Sequence, residues 1–360
     1  MAIIDTLAKI TQAGASDIFI VAGRPLSFKS NGRICSDGEK KLMPSDTDTM
    51  VTEIYSLAGD RNMDRLRKCG DDDFSFAIAG VARFRINAYK QRGSLSAVIR
   101  VINFNIPDPH NLMIPDKIMG FADYKKGLVL VTGPAGSGKS TTLACMIDHI
   151  NKTRQSHIIT LEDPLEYLHM HKESIVSQRE VVTDTETYLT ALRASLRQSP
   201  DVILLGEMRD YETMSVAMTA AETGHLILST LHTIGASNTI DRIIDAFPPN
   251  QQHQIAVQLS MVLQAVVSQQ LIPAKDGSII PAFEIMTLTP AIKNMIRESK
   301  VHQIDGMIST SRNEGMITMD TSLLDLVQSG KVDEKVALEY AQDPDLLLKK
   351  IHNFSSLKES

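Results

Sequence analysis

The chain has 360 residues, 43% of them hydrophobic and 22% charged, and a formal net charge of −6, which predicts a soluble globular protein of two or three domains with a sizeable core. The negative balance and the lack of any long Lys/Arg block weigh against a surface built to bind nucleic acid or an anionic membrane as a whole, and leave only a local basic groove open. Cys35, Cys69 and Cys145 lie far apart without a C-x-x-C, so they read as reduced thiols rather than a disulfide or zinc framework, and no structural metal is expected.

Residues 1–105 read as an α+β domain. It opens with a helix that carries Ile3, Leu7 and Ile10 on one face and stops near Gly14. Asp5 and the lack of an extended apolar run make this opening neither a signal nor an anchor, and no 18-residue apolar run follows, so a cytoplasmic protein is expected. A strand over 18–21, a turn at Gly23, Arg24 and Pro25, a strand through Leu26 and Phe28, and a hairpin turn at Asn31 and Gly32 come next. A helix is predicted over 45–58. Strands over 74–78, 82–89 and 95–102 follow, with turns at Gly80 and Gly93. In the second of these Ala82, Phe84, Ile86 and Ala88 alternate with Arg83, Arg85 and Asn87, which gives the small sheet a basic face.

Residues 106–118, with Pro107, Pro109 and Pro115, read as a stiff linker, and 119–360 as the second domain. Apolar runs at 128–131, 158–161, 202–205 and 226–228 alternate with helical patterns, the signature of a parallel sheet wrapped by helices. One helix over 187–197 carries Leu189, Leu192 and Leu196, with a capping box at Thr183 and Glu186; another carries Met214, Ala217, Met218 and Ala221 and stops at Gly224. From about residue 250 the pattern reads as mainly helical.

Within that frame GPAGSGKS, from Gly133 through Pro134, Ala135, Gly136, Ser137 and Gly138 to Lys139 and Ser140, fits the phosphate-loop pattern, between a strand and a helix opening at Thr141. The glycines let backbone N–H groups turn around a phosphate, Lys139 can reach the β- and γ-phosphates, and Ser140 can offer a hydroxyl to Mg²⁺. The 202–205 strand ends in Gly206 and Glu207, where a carboxylate can hold Mg²⁺ and water; the alternative is a surface acid before a helix capped by Asp210. Glu162, Asp163 and Glu166 follow the 158–161 strand, and spacing does not decide which of them orients water. His225 and His232 flank the 226–230 strand, where sensing and packing weigh equally. Arg193 and Arg197, four apart on one helix face, read first as a solvated pair.

Taken together, GPAGSGKSTT, ITLEDPLEY, LRQSPDVILLGEMRD and TGHLILSTLHT resemble the Walker A, aspartate-box, atypical Walker B and histidine-box motifs of the secretion ATPases. PAFEIMTLTPAIKNMIRE and GMITMDTSLLDLV are similar to the C-terminal patterns of the type IV pilus retraction ATPases, the PilT family. That resemblance implies an α/β fold with a PAS-like N-terminal domain, a RecA-like ATPase domain and a helical C-terminal region. It further implies a hexameric ring using ATP and Mg²⁺ at the inner face of the cell membrane, against a pilus platform protein and other pilus ATPases. It makes Glu166 the general base, with Glu162 beside it, and Glu207 the Walker B acid. His225 and His232 become nucleotide or interface sensors, and Arg85, Arg100, Arg193 and Arg197 become phosphate contacts.

Two segments depart from the family pattern. Lys293 and Met295 stand in AIKNMIRE where the family carries arginine and leucine, and Phe19 stands where it carries histidine. Lysine keeps the charge but loses the planar fork of arginine. The rival readings are an accessory PilU-like ATPase, an assembly or type II secretion ATPase, whose usual four-cysteine module this chain lacks, and a RecA-like nucleic-acid translocase, which would need a basic, aromatic pore. A nucleotide-gated scaffold without turnover is the non-enzymatic reading.

Overall fold

In the computed structural model, which describes residues 3–30, 33–102 and 105–358, with side chains up to 353, the chain divides into two units. The first holds the residues up to 105 and the short segment Glu166–Leu168; the second holds Ile106–Leu165 and the residues from His169 onward.

The first unit is a six-stranded antiparallel sheet with strands β1 (Asp17–Ile20), β2 (Pro25–Ser30), β3 (Arg33–Lys41), β4 (Asp71–Ile78), β5 (Ala82–Gln91) and β6 (Ser94–Ile102), in the order β3-β2-β1-β6-β5-β4. The alternation in β5 works as expected, because Ala82, Phe84, Ile86 and Ala88 are fully buried while Arg83, Arg85 and Asn87 are half-buried or exposed. Helices α1 (Ile3–Gln12) and α2 (Pro44–Leu57) turn Ile3, Leu7, Ile10, Val51 and Ile54 into the same core. The predicted turn at Asn31 and Gly32 lies outside the described residues; the strands on either side pair from Ser30 to Arg33. A further helix, α3 (Asp64–Cys69), ends at Gly70 with φ +89° and has no strong signal in its six residues.

Asp72 anchors this unit. Its carboxylate is buried and accepts hydrogen bonds from the Tyr55 hydroxyl (2.9 Å) and from Arg61 Nε and Nη2 (3.0 and 3.1 Å), with Arg65 Nε at 3.7 Å. Burial pushes the carboxyl up, but the hydrogen bonds of Arg61 and Tyr55 and the charges of both arginines outweigh it and hold Asp72 below its usual range. A carboxyl depressed in the folded state stabilises fully above its unfolded value of about 3.9, and that contribution fades as pH falls through the lower folded value. Asp72→Ala is therefore expected to cost roughly 2–3 kcal/mol at neutral pH. Urea melts at pH 7 and pH 3 check this: the gap between parent and variant narrows at the lower pH.

The second unit is built on a seven-stranded sheet. Its strands are β7 (Gly127–Thr132), β8 (His157–Glu162), β9 (Ile175–Glu180), β10 (Val202–Leu205), β11 (Leu226–Leu231), β12 (Leu263–Pro273) and β13 (Ile279–Thr287), in the order β13-β12-β7-β11-β10-β8-β9. All neighbours run parallel except β13, which is antiparallel to β12. Every residue of β7, β10 and β11 is buried because helices cover both faces, which is why these strands read as apolar runs without alternation. Leu128 and Leu130 of β7 face a cluster with α7 (Tyr211–Glu222), α8 (Ala236–Asp245) and α9 (Pro249–Val262), while Val129 and Val131 face α5 (Lys139–Thr153).

Four expectations are corrected. The chain after residue 250 is helical for most of its length, in the rest of α9 and in α10 (Pro290–Arg297), α11 (Ile304–Thr310), α12 (Met319–Gln328), α13 (Glu334–Tyr340) and α14 (Pro344–Lys358), but it also holds two strands the sequence reading did not expect, β12 beside β7 and β13 at the sheet edge. Val262 ends α9 and Leu263 begins β12 with no turn residue between them, so nothing punctuates the change. The cap of α6 (Tyr188–Ser195) is Thr187, whose hydroxyl accepts from Thr190 N at 3.1 Å; Thr183 instead donates to Glu180 (3.2 Å), so the capping box at Thr183 and Glu186 does not form. Helix α6 also stops before Arg197. Residues 106–118 are more than a linker, because Ile114 and Ile118 are buried in the core beneath α5 and the segment closes a short helix, α4 (Asp116–Met119).

Candidate functional site

The phosphate loop leaves the carboxyl end of β7 and enters α5 at Lys139. Gly133, Gly136 and Gly138 have φ of +139°, +78° and +85°, a backbone that side chains rarely adopt and that turns amides inward. A Cβ on Gly133 would lie 2.2 Å from the Gln269 carbonyl oxygen, so the loop is pressed onto β12 and only glycine fits. Thr142 seals the same contact by donating to Gln269 Oε1 at 2.7 Å. Lys139 is buried, and its ammonium donates to the carbonyls of Gly133 and Pro134, both at 2.9 Å, which holds it over the loop. Ser137 Oγ is buried without a hydrogen-bond partner.

The acidic strand tips lie along the same edge of the sheet. Strand β10 pairs Leu205 with Leu161 of β8 on one side and with Ser229 of β11 on the other, and Leu231 of β11 pairs with Thr132, the residue before the loop. Glu207 therefore sits beyond β10 and Glu162 at the end of β8, both at the carboxyl edge. The Glu207 side chain is only 13% exposed; it pairs with Arg209, and His232 Nε2 lies 3.5 Å from its Oε2. Tyr188 stands among these acids. Burial, and then the charges of Glu207, Asp163 and Glu162, push its phenol up. Gly206 gives this ring its space, since a Cβ there would meet the Tyr188 hydroxyl at 2.8 Å. Asp210 caps α7, accepting from Thr213 N at 2.8 Å.

Other expected site residues fall elsewhere. His225 does not share the edge with His232. It precedes β11 at the amino end of the sheet, about 20 Å along the strand by the usual rise, and its Nδ1 lies 2.9 Å from the Ala220 carbonyl. Within this chain it is a packing residue at the foot of α7, not a contact to the phosphate loop. Arg193 and Arg197 are exposed, and Arg197 lies past the end of α6 beside Gln198, whose carbonyl faces His157 at the amino end of β8. Among the described residues neither is ion-paired. In the first unit Arg85 and Arg100 stand directly opposite each other on β5 and β6, and Asp17 pairs with Arg100 at 3.5 Å. Glu166 is exposed and belongs to the segment grouped with the first unit.

The second unit also holds a cleft of about 250 Å³ beside the loop, walled by Leu112, Met113, Ile114, Leu271 and Ile279 and floored by Gly138 and Thr141. Sequence reading missed this cleft because its walls come from the supposed linker and from β12 and β13. Arg209 and Gln269 were missed as well; the first stands in the LGEMRD run, whereas nothing marks the second.

Comparison with known proteins places this geometry. The chain matches the type II/IV secretion system protein family over residues 2–333. The chain belongs to that family. Among secretion-family relatives it is 43% identical to the type IV pilus retractation ATPase PilT of Pseudomonas aeruginosa, over 96% of this chain and 99% of that one. It is 46% identical to a twitching motility protein of Neisseria gonorrhoeae, over 76% of this chain and 73% of that one. A crystal structure of the pilus retraction motor PilT with bound ADP superposes with a TM-score of 0.87 at 44% identity, covering 97% of this chain and 99% of that one. The doubly covered sheet with its phosphate loop is the ATPase fold of the secretion family.

The residues present suit a nucleotide and Mg²⁺. The left-handed glycine cradle, the unpartnered Ser137 hydroxyl and the Lys139 ammonium supply donors for phosphate oxygens. Mg²⁺ is usually held by one or two protein oxygens and the phosphates themselves, and the Ser140 hydroxyl beside Lys139 and the Glu207 carboxylate are oxygens of that kind.

Proposed function

We infer that the protein is an ATP-hydrolysing motor that powers retraction of a type IV pilus and works as a ring of six copies. One observation carries this reading: a phosphate loop and the Glu207 strand tip share one sheet edge, in a chain matched along almost its whole length by a retraction ATPase. Residues 133–141 would wrap the phosphates, with Lys139 trading its two carbonyl partners for phosphate oxygens. The apolar cleft beside the loop would take the base and ribose.

Ser140 and Glu207 would hold Mg²⁺, which would supply positive charge to offset that of the phosphates. Water would be oriented by Glu166 or Glu162, while His232 would hold Glu207 in place. Arg85 and Arg100 offer two adjacent cations for phosphate, and Arg193 and Arg197 offer two more from a neighbouring copy. The ring would act from the cytoplasmic face on a membrane platform protein; among the described residues no helix is long and apolar enough to cross a membrane. Deleting the gene tests the reading. Cells with excess pili and no twitching support it, and cells without pili overturn it.

A further inference from the structure

Glu284 is a carboxylate on β13 with 1% of its surface exposed, far more deeply buried than any acid of the nucleotide edge. Burial, helped by the charge of Asp305, holds its carboxyl above the usual range, and three donors that favour the charged form only partly offset this. Ala236 N, the first residue of α8, donates to Oε1 at 2.7 Å; Met319 N, the first residue of α12, donates to Oε2 at 3.3 Å. Gln342 Nε2, in the link between α13 and α14, donates to Oε2 at 3.1 Å. One side chain thus ties two helix N-termini to the C-terminal helices. An apolar residue would fill the same space without the cost of burying a polar group, so the carboxyl is held there by what it joins.

The joint lies close to the site in sequence and space. Gly235 has φ +90°, a backbone that side chains rarely adopt, and a Cβ on it would also crowd Gln342 Nε2 at 3.1 Å. Its N–H donates to Ser268 Oγ on β12 at 3.0 Å. Three residues earlier in the same loop is His232, 3.5 Å from Glu207. On the far side Asp320 of α12 accepts from Gln342 N (2.7 Å) and Asp343 N (3.0 Å), which clamps the segment carrying the Gln342 side chain.

We propose that Glu284 is a positioning residue for the nucleotide site, fixing the 232–236 loop that sets His232 against Glu207, and that the C-terminal helices govern this placement through Gln342. The proposal rests on the reading of that edge as an ATPase site. It assigns the C-terminal helices an effect on turnover carried through Gln342, Glu284 and the 232–236 loop. Because the loop touched is that of His232 and not of Lys139, the effect falls on the rate of reaction and not on the grip of ATP.

The test uses the full chain. Gln342→Leu cuts the arm from Glu284 to the α13–α14 link while leaving the one from Met319 of α12, at a surface residue the fold can spare, and Asp320→Asn loosens the same clamp from its other side. Each is expected to speed amide exchange over 232–238 about tenfold and to lower kcat roughly fivefold, with KM for ATP within about twofold of the parent. Parent-like exchange over 232–238, or faster exchange with an unchanged kcat, overturns the proposal, as does a rise in KM at constant kcat. Should the parent itself fail to hydrolyse ATP, the ATPase reading falls, while the exchange measurement alone still decides whether the C-terminal helices hold the loop: parent-like rates in both variants sink that link.

Discussion

Lys139→Ala is expected to abolish ATP turnover, by about a hundredfold or more, and to weaken ATP binding by at least about tenfold. In the present structure the ammonium is held by two carbonyls at 2.9 Å, so it sits over the loop before any phosphate arrives and loses little freedom on binding. Alanine removes the only cation of the 133–140 run. The fold should tolerate the change, because the carbonyls of Gly133 and Pro134 that lose a donor lie at the mouth of a loop with an exposed tip at Pro134 and Ala135. A cost of about 1–2 kcal/mol is expected in thermal melts. Binding of a fluorescent ATP analogue, with turnover by phosphate release, checks the result. Parent-like hydrolysis would remove the phosphate loop from the mechanism altogether.

Glu207→Gln is expected to separate binding from reaction. The amide keeps the shape and one acceptor oxygen, so ATP affinity should stay within about threefold, while turnover falls about 10²–10³-fold because the charge at the β10 tip is gone. Its partner Arg209 is 68% exposed and returns to water at little cost, so stability should hardly move. His232 loses a charged neighbour and keeps a hydrogen-bond acceptor. Single-turnover assays at saturating ATP distinguish the outcomes. An equal loss of affinity and rate would mean that Glu207 grips the nucleotide rather than promoting its reaction.

Much of this site was legible before any coordinates. The loop declares itself through three glycines and a lysine between a strand and a helix, and the central strands declare themselves because covering both faces of a sheet demands uninterrupted apolar runs. The Asp210 cap was legible from the same local chemistry. What failed depends on long-range packing. His225 looked like a companion of His232 because sequence gives the two ends of β11 equal standing, whereas parallel pairing sends them to opposite edges. Strands β12 and β13 hid behind a helix that runs into them without a breaker, and with them went Gln269, whose carbonyl and amide brace the loop from 127 residues beyond Thr142. The Thr183 and Glu186 box has the right letters, but Thr183 spends its hydroxyl on Glu180.

The seamless passage from α9 into β12 has a mechanical meaning. With Val262 helical and Leu263 already extended, the rod runs into the ribbon with no turn between them, one bulge at Gln264 follows at once, and Gln269 lies only six residues farther along. One residue gained or lost past that bulge would rotate the downstream side chains onto the opposite face, and the brace under the glycine cradle would swing away with them. Length downstream of the Gln264 bulge is therefore as tightly specified as chemistry, because it sets which face of β12 supports the phosphate loop.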